Sequence, residues 1–332
     1  MTVDAARSSL AAYRAARESA ALFARPDSGL MEVTGAERLT YLNNLSTNKL
    51  VDLAPGRAAR AFLLVPTKGR VLADFVACET GAVTWLECQG GSAPTVLDLL
   101  GKYYFGQDVA FADRSAEWRV LALVGPDAAA LLAGVAHEIP PAEEKTHEES
   151  RIGDAPVRVL RWSDAGPPGW HLWVPAGAME TARRTLVEAG AVPGSEEEWT
   201  LLQIESGIAA YGRELGEDGI PLEAPTEDAI DHAKGCYPGQ EVIARLHVRG
   251  RPARHLRGLQ IEGADPLPAG TVLDAADKAG VATVTASAVS PSLGPVALAY
   301  VHREHCEPGT RLTGNGRAAE VAELPLVPWS EE

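Results

Sequence analysis

The sequence predicts an α+β fold: two α+β units followed by a β module. Three observations carry this reading. The 332 residues exceed what one ordinary hydrophobic core organises and suit two or three domains. Ahead of Pro252, runs with strand alternation interleave with runs at helical spacing. From Pro252 to Pro328 only short β runs remain, parted by Gly/Pro turns, which suggests a small antiparallel barrel or sandwich.

Taken in order, Thr34-Gly35-Ala36-Glu37 has the form of a capping box, in which hydroxyl and carboxylate satisfy free amides reciprocally. Leu39, Leu42 and Leu45, with Tyr41, then make one apolar stripe at helical spacing. Strands are expected at Ala58–Val65, Arg70–Ala77 and Ala82–Glu87. The first two are joined by Pro66-Thr67-Lys68-Gly69, where Pro fixes φ and Gly permits a positive one. Val96, Leu97, Leu99 and Leu100 mark a helix before Tyr103. The second unit begins near Trp118 with strand Arg119–Val124 and helix Asp127–Ala133. It continues with strands Val157–Trp162 and His171–Val174 and helix Ala178–Ala189. Trp170 and Trp173 read as packing residues. Pro140 to Ser150 is acidic and reads as a solvated loop, and Glu196 to Ile208 reads as a helix. Strands Leu256–Ile261, Val281–Val289, Val296–Val301 and Ala318–Leu324 follow, with a hairpin turn at Gly314-Asn315-Gly316.

Composition narrows the function classes. Apolar residues make up 46% and charged residues 23%, the balance of a folded soluble chain. No apolar run approaches the roughly 18–20 residues that a membrane-spanning helix needs. Met1–Ala24 is Ala-rich, carries Asp4 and Glu18, and lacks the apolar core of a secretion signal, so a cytoplasmic location is the default. The four cysteines are far apart with no C-x-x-C pair, which reads as reduced thiols. A net charge of −15 argues against a stable nucleic-acid complex. The exception is Arg245–Arg257, with five arginines, two histidines and no acid. It reads either as an exposed strand-and-turn edge or as a contact for a small anion. The histidines show no metal-binding pair, so no metal is expected. His302, His305 and Cys306 read as a solvated turn at a strand end.

The segment Lys234-Gly235-Cys236-Tyr237-Pro238-Gly239-Gln240-Glu241 carries the most chemistry. Pro238 suits the first position of a short helix running through Glu241 toward Ala244. Cys236 would then precede a partially positive helix terminus, with Lys234 beside it. Both effects lower a thiol pKa from its usual value of about 8.5. Gly235 and Gly239 would let the backbone approach a ligand. The competing reading of Cys236 is a small buried apolar residue.

The run K-G-C-Y-P-G-Q-E resembles the K-G-C-Y-x-G-Q-E signature of the YgfZ family, which is related to the glycine-cleavage T-protein. Leu202-Gln203-Ile204-Glu205-Ser206-Gly207-Ile208 looks like the shared L-R-I-E-A-G-I segment, with Gln203 where Arg is usual. Tyr211–Glu214, Ile220–Ala224, Gly29–Gly35 and Gly69–Phe75 also fit. The resemblance implies a three-domain, aminomethyltransferase-like folate-binding fold around a central pocket, the β module being a barrel. Residues 1–113 with 196–251 would form the folate-binding domain, 114–195 a second α+β domain and 252–332 the barrel. The implied cofactor is tetrahydrofolate or a derivative. The implied role is support of iron–sulfur enzyme assembly or repair and, through it, tRNA modification, with iron–sulfur client enzymes as partners. The alternative is a folate-dependent aminomethyltransferase or demethylase acting on a methylamine-type substrate. A monomer is the default. Cys236 and Lys234 would carry the chemistry. Glu205, Asp74, Tyr237, Gln240 and Arg245 would contact the cofactor, the carboxylate of Glu205 accepting from pterin N–H groups. Gly235, Gly239 and Glu241 complete the motif. One departure matters: the T-protein has two adjacent aspartates on the matching strand, and here the first is Ala73 and only Asp74 remains.

Overall fold

Alternating apolar residues give the chain its strands, and a computed structural model describes residues 10–329. Residues 1–9, Asp4 among them, lie outside the described residues. The chain divides into two compact units. The first holds residues 1–163, 167–195 and 227–242, and the second 164–166, 196–226 and 243–332.

The first unit contains two sheets. In chain order its elements are α1 (Ala11–Glu18), β1 (Ala21–Arg25), β2 (Gly29–Thr34), α2 (Arg38–Leu45), β3 (Ala58–Leu64), β4 (Val71–Glu79), β5 (Thr84–Cys88), α3 (Ala93–Lys102) and β6 (Ala110–Asp113). There follow β7 (Trp118–Val124), α4 (Ala128–Val135), β8 (His147–Ile152), β9 (Ala155–Leu160), β10 (Gly169–Pro175), α5 (Met179–Glu188) and β11 (Val192–Pro193). One sheet runs β3-β4-β5-β2-β6 and the other β11-β1-β7-β10-β9-β8. Every pair is antiparallel except β1 with β11. Leu30, Val76 and Cys78 of the first sheet share an apolar cluster with Val120, Leu160 and Trp173 of the second. Phe75, Ala77 and Leu86 face the other way, into a cluster with Tyr41, Leu42, Val96 and Leu100 from α2 and α3. Period-two alternation on β4 decides which side chain enters which layer.

The second unit contains α6 (Glu196–Ser206), packed on a β-barrel. The barrel strands are β12 (Arg254–Ile261), β13 (Val272–Leu273), β14 (Ala282–Ser290), β15 (Gly294–His302), β16 (Arg311–Gly314) and β17 (Arg317–Ala322), in the order β13-β14-β15-β12-β17-β16. A bridge between Asp274 and Thr313 brings the two ends together, so the barrel is nearly closed. The barrel alternative is therefore the right one. Its β16–β17 hairpin turns at Asn315 and Gly316, both with positive φ (50° and 72°), as an Asn-Gly hairpin requires.

Four expectations are corrected. The capping box does not form: Glu37 accepts instead from the amide of Asp108 at 2.6 Å, and Asp108 accepts from Ala36 at 3.1 Å. The acidic loop ends in a strand, β8, because Ser150 and Ile152 are buried in its pairing with β9. Pro238 does not open a helix. Gly239 has φ +86°, outside helical space, so α7 begins at Gln240 and runs to Arg249. Arg245 thus sits on a helix rather than a strand edge, and strand structure starts only at Arg254.

Candidate functional site

The segment before α7 is fastened to the loop between α2 and β3. Buried Thr47 donates its hydroxyl to the Ala229 carbonyl (2.6 Å) and accepts from the Phe62 amide (2.9 Å). Asp231 donates its amide to the Thr47 carbonyl, while its carboxylate accepts from the amides of Ala233 and Lys234 (2.7 and 3.1 Å). The Asp side chain thereby builds the turn that presents Lys234.

Lys234 then acts as a clamp. Its ammonium donates to the carbonyls of Asn43, Ser46 (2.6 Å) and Asn48 (2.7 Å), and lies 5.2 Å from the Tyr237 ring centroid. An ammonium has three donors, and all three are spent on backbone at the end of α2. Burial lowers the Lys234 pKa to about 8, against the pull of Asp231. Burial likewise pushes Tyr237 up to about 12, with Asp231 adding to it. Tyr237 and Gln240 close the turn: Gln240 N donates to Tyr237 O, and Tyr237 N donates to the Gln240 side-chain Oε1, both at 3.3 Å.

The two motif glycines differ. A Cβ on Gly239 would sit 2.9 Å from Leu64 Cβ and 3.0 Å from the Val65 carbonyl. Its close approach is to the β3–β4 hairpin, not to a ligand. Gly235 has open space around it. It lies beside Cys236, and both are exposed. Cys78, Cys88 and Cys306 are buried, which leaves Cys236 as the accessible thiol of the four. α7 begins at Gln240, four residues after Cys236 rather than directly behind it.

Asp74 is buried on β4 of the same unit. Arg60 holds it in a paired arrangement, Nε to Oδ1 at 3.0 Å and Nη2 to Oδ2 at 2.6 Å. Arg60 Nη1 is also 3.5 Å from Asp228, which pairs with Lys145 at 3.0 Å. Burial alone would raise the Asp228 carboxyl, but Arg60 and Lys145 hold it below its ordinary value. Asn48 ties this chain of charges to the Lys234 clamp, its amide donating to the Arg60 and Asp228 carbonyls at 2.7 and 3.0 Å. Ala73 points the opposite way, fully buried in the apolar cluster under α2 and α3. Of the two strand positions, 74 is the one that reaches Arg60. The acid missing from position 73 would have faced hydrocarbon.

In the second unit, Glu205 is fully buried on α6 among Leu201, Leu202 and Ile204, and neighbouring Gln203 donates to the Asp164 carbonyl at 2.9 Å. Arg245 is exposed on α7. Glu214 and Glu223 hold residues 209–224 to the barrel through Thr285 (2.8 Å) and Arg254 (3.1 Å). Those resembling segments are thus structural.

Sequence reading missed a buried polar group between the two sheets of the first unit. Glu87 on β5, with no exposure, takes His171 Nδ1 at 2.7 Å, Trp173 Nε1 at 2.6 Å and Gln89 Nε2 at 3.1 Å. The signal was available: an acid on a strand whose flanking positions are apolar must find donors.

Comparison with known proteins follows the same outline. Residues 4–234 match the family described as the GCVT N-terminal domain, and residues 254–327 the glycine cleavage T-protein C-terminal barrel domain. An aminomethyltransferase of Rubrobacter xylanophilus is 30% identical over 298 residues, covering 89% of this chain and 79% of that protein. One of Thermus thermophilus is 30% identical over 323 residues, covering 95% and 89%. The crystal structure of glycine cleavage system aminomethyltransferase T from Bartonella henselae matches with a TM-score of 0.87 at 23% identity. It covers 96% of this chain and 90% of that one, and it shows the shared fold.

Proposed function

The chain belongs to the glycine-cleavage T-protein family, whose aminomethyltransferases bind tetrahydrofolate, and from that premise we propose a folate-dependent one-carbon transferase of the aminomethyltransferase or demethylase type. The observation that carries this reading is Asp74: the strand acid paired with Arg60 is retained, and position 73, here Ala, faces the core under α2 and α3. The residues fit the cofactor. A pterin ring presents N–H groups, for which a carboxylate is the matching acceptor, and Glu205 is a buried carboxylate.

Bound tetrahydrofolate supplies the nitrogen that receives a one-carbon unit. The chain's own part is to place Asp74 where a carboxylate steadies positive charge developing on a methylamine-type substrate and takes up its proton. Arg60 holds that carboxylate in one orientation. We assign Tyr237 and Gln240 to cofactor contact, and Arg245 to the anionic glutamate tail, as separate assignments to be tested singly.

The test supplies the purified protein with lipoyl carrier protein, the other glycine-cleavage components and tetrahydrofolate. Methylene-tetrahydrofolate should appear, and Asp74→Asn should slow it by about 10²–10⁴-fold. No methylene-tetrahydrofolate from the wild type, either with these components or with N-methylated amines as substrates, would end this reading.

A second reading is favoured by one specific observation, the exposed Cys236 in the K-G-C-Y-P-G-Q-E run. On it, the protein supports assembly or repair of iron–sulfur enzymes, and through them tRNA modification, with the thiol as the reactive group. Cys236→Ser should then fail to complement a strain lacking the gene while leaving folate affinity unchanged. Full complementation by that variant rejects it.

A further inference from the structure

The sequence around His302 reads as a solvated turn, yet the barrel holds it as an ordered cluster. His302 ends β15. Its carbonyl takes the His305 amide at 2.8 Å, Arg303 N donates to Ala253 O at 3.0 Å, and Arg257 Nε holds the Cys306 carbonyl at 3.0 Å. Cys306 turns inward to the barrel core, its Sγ against the Arg303 carbonyl. The outward set is His302, Glu304 and His305. One ligand atom from each lies within 4.8 Å of the others.

His305 supplies the independent observation. It is only 8% exposed. Its Nε2 sits 3.0 Å from Asp277 Oδ1 on the β13–β14 loop. A proton shared with Asp277 on Nε2 leaves Nδ1 as the lone-pair nitrogen, and Nδ1 is buried with no hydrogen-bond partner among the described residues. A buried nitrogen left unpaired costs free energy, and a carboxylate behind an imidazole is how metal-binding histidines are oriented.

We propose that His302, Glu304 and His305 form a zinc-type divalent cation site on the barrel, with Asp277 as the residue that orients His305. Two imidazoles and a carboxylate suit Zn²⁺ and leave a coordination position for water. Lys278, whose Nζ is 3.6 Å from Glu304 Oε2, competes with the ion for that carboxylate.

The experiment titrates metal-stripped full-length protein with zinc chloride by calorimetry, and with cobalt chloride by absorbance. One ion per chain is expected, with cobalt bands of a nitrogen- and oxygen-ligated site. His302→Ala, a partly exposed position that should not disturb folding, should abolish binding. Asp277→Asn should weaken it about 10- to 100-fold, and Lys278→Gln should tighten it. Unchanged zinc affinity in folded His302→Ala overturns the proposal. So does a sulfur-to-cobalt charge-transfer band that disappears in Cys236→Ser, because the ion would then sit on the exposed thiol.

Discussion

Among single residues, Gly239 and Gly235 separate structural need from ligand access. Gly239 combines φ +86° with a 2.9 Å contact to Leu64 for any Cβ, so Gly239→Ala adds left-handed strain to overpacking and should cost about 2–4 kcal/mol in urea denaturation. Gly235→Ala meets nothing and should leave the denaturation midpoint unchanged. A fall in folate affinity for Gly235→Ala at unchanged stability would mark it as a ligand-facing position. His147 gives the pH dependence. It is buried, with Nε2 on the Glu79 carbonyl (2.9 Å) and Nδ1 facing Arg158 Nη1 (3.0 Å). Arg158 can only donate, so Nδ1 must accept and the ring must stay neutral. Burial, with Arg158 beside it, lowers the pKa from 6.5 to about 4. The unfolded chain therefore binds the extra proton between these values. The stability this neutral ring contributes is complete above pH 6.5 and is lost as pH falls toward 4, by about 3 kcal/mol in all. Stability curves of wild type and His147→Gln across that window should converge at the acid end; parallel curves would contradict the assignment.

At the scale of elements, Glu87 joins β5 to β10. Glu87→Ala strands the Trp173 indole N–H and removes an acceptor from His171, which should destabilise the first unit by on the order of 3 kcal/mol. Glu87→Gln keeps one acceptor and should cost less; equal losses would show that packing rather than hydrogen bonding is responsible. The turn of β16 and β17 is legible from sequence because Asn315-Gly316 has a local mechanism. Gly316→Ala, at φ 72°, should cost about 1–2 kcal/mol by thermal unfolding. The capping box failed because Asp108, distant in sequence, took the partners that Thr34 and Glu37 offered each other. β8 was hidden because its apolar positions are few and its pairing with β9 decides its burial. Non-local partners overrode local pattern in both.

For the whole molecule, ligand linkage is the decisive measurement. Tetrahydrofolate at about 100 times its dissociation constant should add roughly 2.7 kcal/mol to stability. Glu205→Ala should reduce that increment, and a melting curve blind to folate would leave the family resemblance without its ligand. Among the described residues no helix is long and apolar enough to cross a membrane. The division into 1–113 with 196–251, 114–195 and 252–332 stands as our proposal. Hydrogen exchange should resolve three cooperative groups of amides with those bounds, whereas one cooperative block across 10–195 would merge the first two.

By itself the sequence determined the α+β class, the β module at the end and most strand positions. These follow from alternation and turn chemistry, both short-range properties of the chain. Only the tertiary structure decided that Lys234 grips backbone carbonyls, that Asp74 rather than position 73 faces Arg60, and that Glu87 is satisfied from another sheet. A donor's partner depends on which residues the fold brings within 3 Å, and that information is spread over the whole chain.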